Sequence, residues 1–113
     1  MQINISARHG HLSTQTQSLI TEKVEKVKRF LDRITSIVVT CDLEHQQAPR
    51  VEIHVVAEHA GEFIASDKAD SLLTALDSAV HKMEQQLRKY KEKLTEKRGP
   101  GLRDLPAVEE ETE

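Results

Sequence analysis

The sequence predicts an α+β domain: a four-stranded mixed sheet with two parallel helices packed on one face, in the order β-α-β-β-β-α. Three observations predict it. The hydropathy period switches between two and about 3.6 along the chain. Turn or capping residues stand at the switches. Two stretches of helical period each carry a single apolar stripe, and a sheet that is wet on one side can cover both.

Gln2 to Arg8 alternates, with Ile3, Ile5 and Ala7 on one face and Asn4, Ser6 and Arg8 on the other, which is the period of a strand. Gly10 breaks it, and Ser13 or Thr14 can cap a helix. Ile20, Val24, Val27, Leu31 and Ile34 then recur at spacings of four and three, so the spacing predicts one helix over about residues 14–33. From Ser36 the period is two again. Ile37, Val39, Cys41 and Leu43 form the apolar face of a second strand, and His45 to Pro49 is a polar connection. Val51, Ile53, Val55 and Ala57 mark a third strand, His59-Ala60-Gly61 a turn, and Glu62 to Ser66 a short fourth strand. Asp67 or Asp70 is the expected cap of the second helix. Its stripe is Leu73, Leu76, Val80, Met83, Leu87, Tyr90 and Leu94, and it should run to about Lys97, where Gly99-Pro100-Gly101 stops it.

A topology follows. The first two strands, joined by a helical crossover, are parallel if they are neighbours. Hairpins reverse the next two, so the fourth strand runs with the first, and both helices return in the same direction. Both stripes then face the sheet. Thr40, Asp42, Glu52, His54 and Glu58 lie on the wet side. The 3,4 spacing of the second helix also fits a coiled-coil seam, but a sheet needs a cover, so the helix is read as core and the free protein as a monomer.

The 113 residues form one domain over 1–98 and an acidic tail over 99–113, expected to be disordered. No apolar run reaches the ~18 residues of a membrane span. The amino terminus lacks the parts of a signal peptide, so the expected location is the cytoplasm. The single Cys41 excludes an internal disulfide and a Cys-rich zinc site, and it sits on an apolar strand face as a small hydrophobe. His9 and His11 flank Gly10, and His54 stands between carboxylates. No set of three or four converging metal ligands is evident, so these histidines are expected to be solvated and no metal or cofactor is expected. No nucleophile–base pair, no paired catalytic carboxylates and no Gly-rich phosphate loop is present, which argues against an enzyme or a small-molecule substrate.

Net charge is −3, but it is unevenly spread. Residues 80–98 hold seven basic and three acidic side chains, residues 36–66 hold one and five, and the tail holds one and five. Lys23, Lys26, Arg29 and Arg33 flank the first stripe at helical spacing; Lys82, Lys89 and Lys93 flank the second, with Arg88 and Lys91 beside them. On parallel helices these residues would make a basic surface opposite an acidic sheet face. That surface suits a dense phosphate array. A solvated helix face is the competing interpretation. With only Phe30, Phe63 and Tyr90 as aromatics, stacking on single-stranded bases is disfavoured, and contact with folded RNA through backbone and shape is compatible.

Several segments resemble the ribosome hibernation promoting factor and ribosome-associated inhibitor family, also called sigma-factor modulation proteins. They are Met1 to Ser6, Lys26-Val27-Lys28-Arg29-Phe30-Leu31-Asp32-Arg33-Ile34, Ile64-Ala65-Ser66, Ala75-Leu76-Asp77, and above all Lys82 to Lys93. The resemblance covers residues 1 to about 97. It implies a non-enzymatic factor that binds the small ribosomal subunit and its RNA in the channel of messenger and transfer RNA, silencing idle ribosomes. It carries the family's basic positions to Lys23, Lys26, Lys82, Lys89, Lys91 and Lys93, with Arg29, Arg33 and Arg88 as basic neighbours. Gln85 and Gln17 stand where the family usually has arginine, and Leu73 where it usually has tyrosine. The length and acidic ending resemble a short, inhibitor-like form. A general structured-RNA-binding domain and a protein-binding regulatory module remain the alternatives.

Overall fold

The computed structural model describes residues 2–98, with side chains through Leu94. Its elements are β1 (Gln2–Arg8), α1 (Thr14–Glu25), a 3-10 turn (Lys26–Phe30), β2 (Ile34–Asp42), β3 (Arg50–Ala57), β4 (Gly61–Lys68) and α2 (Leu72–Arg98). The strands form one sheet in the order β1-β2-β3-β4. β1 and β2 are parallel, and the two hairpin pairs are antiparallel, which makes the sheet mixed. The helix stop and the acidic tail fall outside the described residues.

One sheet face is covered by α1 over β1 and by α2 over β3 and β4. Ile37, Val39, Cys41, Val51, Ile53 and Val55 are fully buried from the sheet, and Ile20, Val24, Val27, Leu76, Met83 and Leu87 from the helical side. No charged side chain is buried among the described residues. The helices run the same way: Lys23 of α1 meets Asp77, and farther along both, Phe30 meets Arg88. No helix among the described residues is long and apolar enough to cross a membrane.

Three local expectations are corrected. The helix predicted over 14–33 ends early. After Glu25 the chain tightens into the 3-10 turn, Leu31 is extended, and Arg33 takes a left-handed conformation at φ 64°. Leu31 and Ile34 continue the helical spacing in sequence, but Ile34 opens β2 opposite Ala57, so sheet pairing overrides the helix period. A register shift after Ile34 is bridged by Thr35, whose hydroxyl donates to the Val56 carbonyl at 3.1 Å. The fourth strand reaches from Gly61 to Lys68, longer than Glu62 to Ser66.

The third correction concerns the caps. Ser13 caps α1 as expected, its hydroxyl accepting from the Thr16 amide at 3.1 Å. Neither Asp67 nor Asp70 caps α2. Ser71 does, accepting from the Thr74 amide at 3.2 Å. Asp67 lies inside β4, so it is too early in the chain to reach the first turn of α2 as a cap. It is used elsewhere.

Candidate functional site

The basic residues singled out by sequence do not form one continuous row. They fall on two flanks of α2, on α1, on the 3-10 turn and in the link to β2. On the β4 side, Lys82 Nζ lies 3.5 Å from the Ser66 carbonyl oxygen, and Gln86 Nε2, one turn on, donates to the Ile64 carbonyl at 2.7 Å. Lys89 and Lys93 continue this flank by helical period and are exposed. The other flank faces the first helix. There Asp77 meets Lys23, and the Arg88 guanidinium lies 5.6 Å from the centroid of the Phe30 ring, a cation–π distance. Lys91 is exposed on the side of Asp77 and Arg88. Lys26 and Arg29 are exposed on the 3-10 turn.

Arg33 is displaced from the expected helix face. It sits in the link to β2, 3.7 Å from Glu58 Oε1 at the far end of β3. The Glu58 amide donates to the Arg33 carbonyl at 3.0 Å, which fastens this link to the hairpin end.

Carboxylates hold some of these cations and not others. Lys23 Nζ is 2.8 Å from Asp77 Oδ1, and Lys82 Nζ is 3.3 Å from Asp67 Oδ2. Among the described residues, no acidic partner lies within ion-pair distance of Lys26, Arg29, Lys89 or Lys93. Asp67 is also held by the Ser78 hydroxyl and by the Lys68 amide at 2.8 Å. The Ser78 hydrogen bond, then the Lys68 amide, keep its carboxyl below the usual range. Sequence reasoning missed Asp67 and Asp77 as partners, since nothing in their spacing places them beside Lys82 and Lys23.

The opposite sheet face has another character. Glu52, His54 and Glu62 lie there, with His54 Nε2 at 2.9 Å from Glu62 Oε1. Arg8, Arg50 and Lys68 share that face with Asp42, Glu52 and Glu62, so the expected acidic sheet face is close to balanced, and the basic surplus belongs to the helical side.

One potential metal set appears that the sequence concealed. His9 Nδ1 lies 3.0 Å from Asp42 Oδ1, Glu44 is adjacent, and the ligand atoms of the three lie within 4.8 Å of one another. His9 has φ 63°, and the Arg8↔Asp42 pairing of parallel strands brings the two strand ends together. Asp42 is already engaged: its Oδ1 accepts from the Glu44 amide at 3.1 Å as well as facing His9. These bonds, His9 first, hold its carboxyl below the usual range. The arrangement works as a clamp on the ends of β1 and β2.

Residues 3–95 match the model of the family described as Sigma 54 modulation protein / S30EA ribosomal protein. The chain belongs to this family. Within it, the ribosome hibernation promoting factor of Pseudomonas putida is 30% identical over 94 residues, covering 82% of this chain and 89% of that protein. The factor of the same name from Azotobacter vinelandii is 31% identical over 98 residues, 86% and 89% of the two chains. Two solved structures share the fold. A ribosomal subunit interface protein from Coxiella burnetii aligns with a TM-score of 0.74 at 23% identity, over 81% of this chain and 99% of the other. The N-terminal domain of Thermus thermophilus Protein Y aligns with 0.71 at 22%, over 80% and 99%. Membership of the S30EA family makes this chain a ribosome-associated binding protein and not an enzyme.

Proposed function

We propose that the protein binds the small ribosomal subunit through its helical face, lies in the channel that messenger and transfer RNA use, and keeps idle ribosomes inactive in the cytoplasm. The observation that carries this reading is the group of exposed cations Lys26, Arg29, Lys89 and Lys93 on the helical side, which have no acidic partner among the described residues. Ammonium and guanidinium groups free of carboxylates meet phosphates at no cost in broken ion pairs, and each contact releases counterions from the RNA. The open sheet face, where Arg8, Arg50 and Lys68 offset Asp42, Glu52 and Glu62, has no such cationic surplus, so a polyanion is drawn to the helical side.

The aromatics support recognition of shape over bases. Phe30 is covered by Arg88, and Phe63 and Tyr90 pack edge to face with centroids 5.4 Å apart. Neither arrangement offers a stacking platform for a splayed base. Similarity to proteins named ribosome hibernation promoting factors supports occupancy of the ribosome as the mode of action.

The test is sedimentation with purified small subunits. The double variant Lys26→Glu, Lys89→Glu should stay at the top of the gradient with an unchanged circular dichroism spectrum, while the parent chain co-sediments. A plain RNA duplex should bind the parent chain more weakly than the subunit does. Retained co-sedimentation of the folded double variant would sink the assignment, and equal affinity for duplex and subunit would favour a general RNA-binding domain.

A further inference from the structure

We infer that Asp67 and Asp77 are built-in electrostatic brakes on this interface, each holding one lysine, Lys82 and Lys23, away from phosphate. The inference rests on the function proposed above and concerns what sets its affinity.

Asp77 is the clearer case. Its side chain is 59% exposed, and its Oδ1 lies 2.8 Å from Lys23 Nζ. No other hydrogen bond or ion pair of Asp77 is found among the described residues. It stands beyond the first turn of α2, which starts at Leu72, so it gains little from the helix dipole. Nor does it cap a helix end. What remains is its effect on the neighbouring cation. On a surface that must meet a polyanion, an exposed carboxylate repels the ligand and also occupies the lysine that would bind it.

Asp67 repeats the arrangement from another element. It comes from β4 and reaches Lys82 at 3.3 Å on the opposite flank of α2. Ser78 and the Lys68 amide fix it in place, so Lys82 is held along the sheet edge, where its ammonium also lies near the Ser66 carbonyl. Two lysines on separate helices are thus each restrained by a carboxylate from a neighbouring element. Lys26, Arg29, Lys89 and Lys93 make the first contacts, and Lys23 and Lys82 join only when a phosphate displaces the carboxylate. Exposed ion pairs are weak, so displacement is feasible, and the restraint amounts to a few-fold in affinity.

The experiment measures affinity of the full chain for purified small ribosomal subunits at low and high salt. Asp77→Asn should bind about threefold tighter at low salt, the scale of one exposed ion pair, with the gain fading as salt rises. Lys23→Gln should bind more weakly than the parent, and Lys23→Gln, Asp77→Asn should bind no tighter than Lys23→Gln alone. Asp67→Asn, paired with Lys82→Gln, repeats the cycle on the other flank. The Asp77 pair stands alone should Asp67→Asn loosen the fold. Unchanged or weaker binding by Asp77→Asn overturns the inference. So does a gain that survives in the Lys23→Gln background, since Asp77 would then act as general negative charge. Lys89→Glu, measured alongside, separates the two levels: if it abolishes binding while Asp77→Asn does nothing, the interface stands and the brake falls. If Lys89→Glu binds normally, the interface itself is overturned.

Discussion

Cys41 and Asp67 show how differently single side chains behave once the chain is folded. Cys41 is fully buried on β2, and that burial pushes its thiol up to about 11. The thiolate is the reactive form, so the native protein should resist a thiol reagent at neutral pH and react at once when unfolded in denaturant. Rapid labelling of the native state would contradict the burial. Asp67 is partly exposed, and its carboxyl is depressed first by the Ser78 hydroxyl and then by the Lys68 amide. A depressed native value means the ionised form stabilises the fold above the unfolded value of about 3.9, and that stabilisation is lost as pH falls through the lower native value. Acid unfolding of Asp67→Asn should therefore be less steep below about pH 4 than that of the parent chain. Identical acid limbs would show that the Ser78 bond contributes nothing.

At the scale of elements, α2 holds the structure together. Its start depends on Ser71, whose hydroxyl accepts from the Thr74 amide. Replacing Ser71 by Ala should cost about 1 kcal/mol, whereas Asp70→Ala should stay within about 0.5 kcal/mol, as measured by urea unfolding. Farther along, Leu87 is fully buried against the sheet. Leu87→Ala should cost roughly 2–5 kcal/mol, depending on how far the cavity collapses. The same helix shields an edge. β4 is the last strand of the sheet, and Gln86 and Lys82 reach two of its carbonyls. An edge with satisfied carbonyls is a poor template for pairing with another chain. Gln86→Ala should leave the fold intact and raise the tendency to self-associate on concentration, seen by light scattering.

For the whole molecule, the consequence is polarity. One layer is helical and basic, the other is a sheet whose open face mixes Asp42, Glu52 and Glu62 with Arg8, Arg50 and Lys68. A net charge of −3 thus coexists with a basic helical surface. Binding to small subunits should weaken with salt, log affinity falling by roughly 0.7–0.9 per phosphate contact against log salt. Removing Lys93, which has no acidic partner among the described residues, should flatten that slope by about one contact. A slope near zero would mean that the complex is held by apolar contacts instead.

Element types and their order were legible in the chain because each rests on a local period: two for Ile37, Val39 and Cys41, and about 3.6 for Leu76, Val80, Met83 and Leu87. The parallel pairing of β1 and β2 followed from connection rules, and the segments around Lys26 and Lys82 carried the family resemblance. The tertiary structure decided what local period does not encode. Leu31 and Ile34 fit a helix in sequence, yet Ile34 pairs with Ala57, because a strand in register outweighs one more helical turn. Asp67, a plausible helix cap by composition, became a partner of Ser78 and Lys82 because β4 extends to Lys68. Which lysines a carboxylate holds was equally invisible, since an ion pair depends on where distant segments meet. Charge placement on each helix is a property of the sequence; its pairing across elements is a property of the fold.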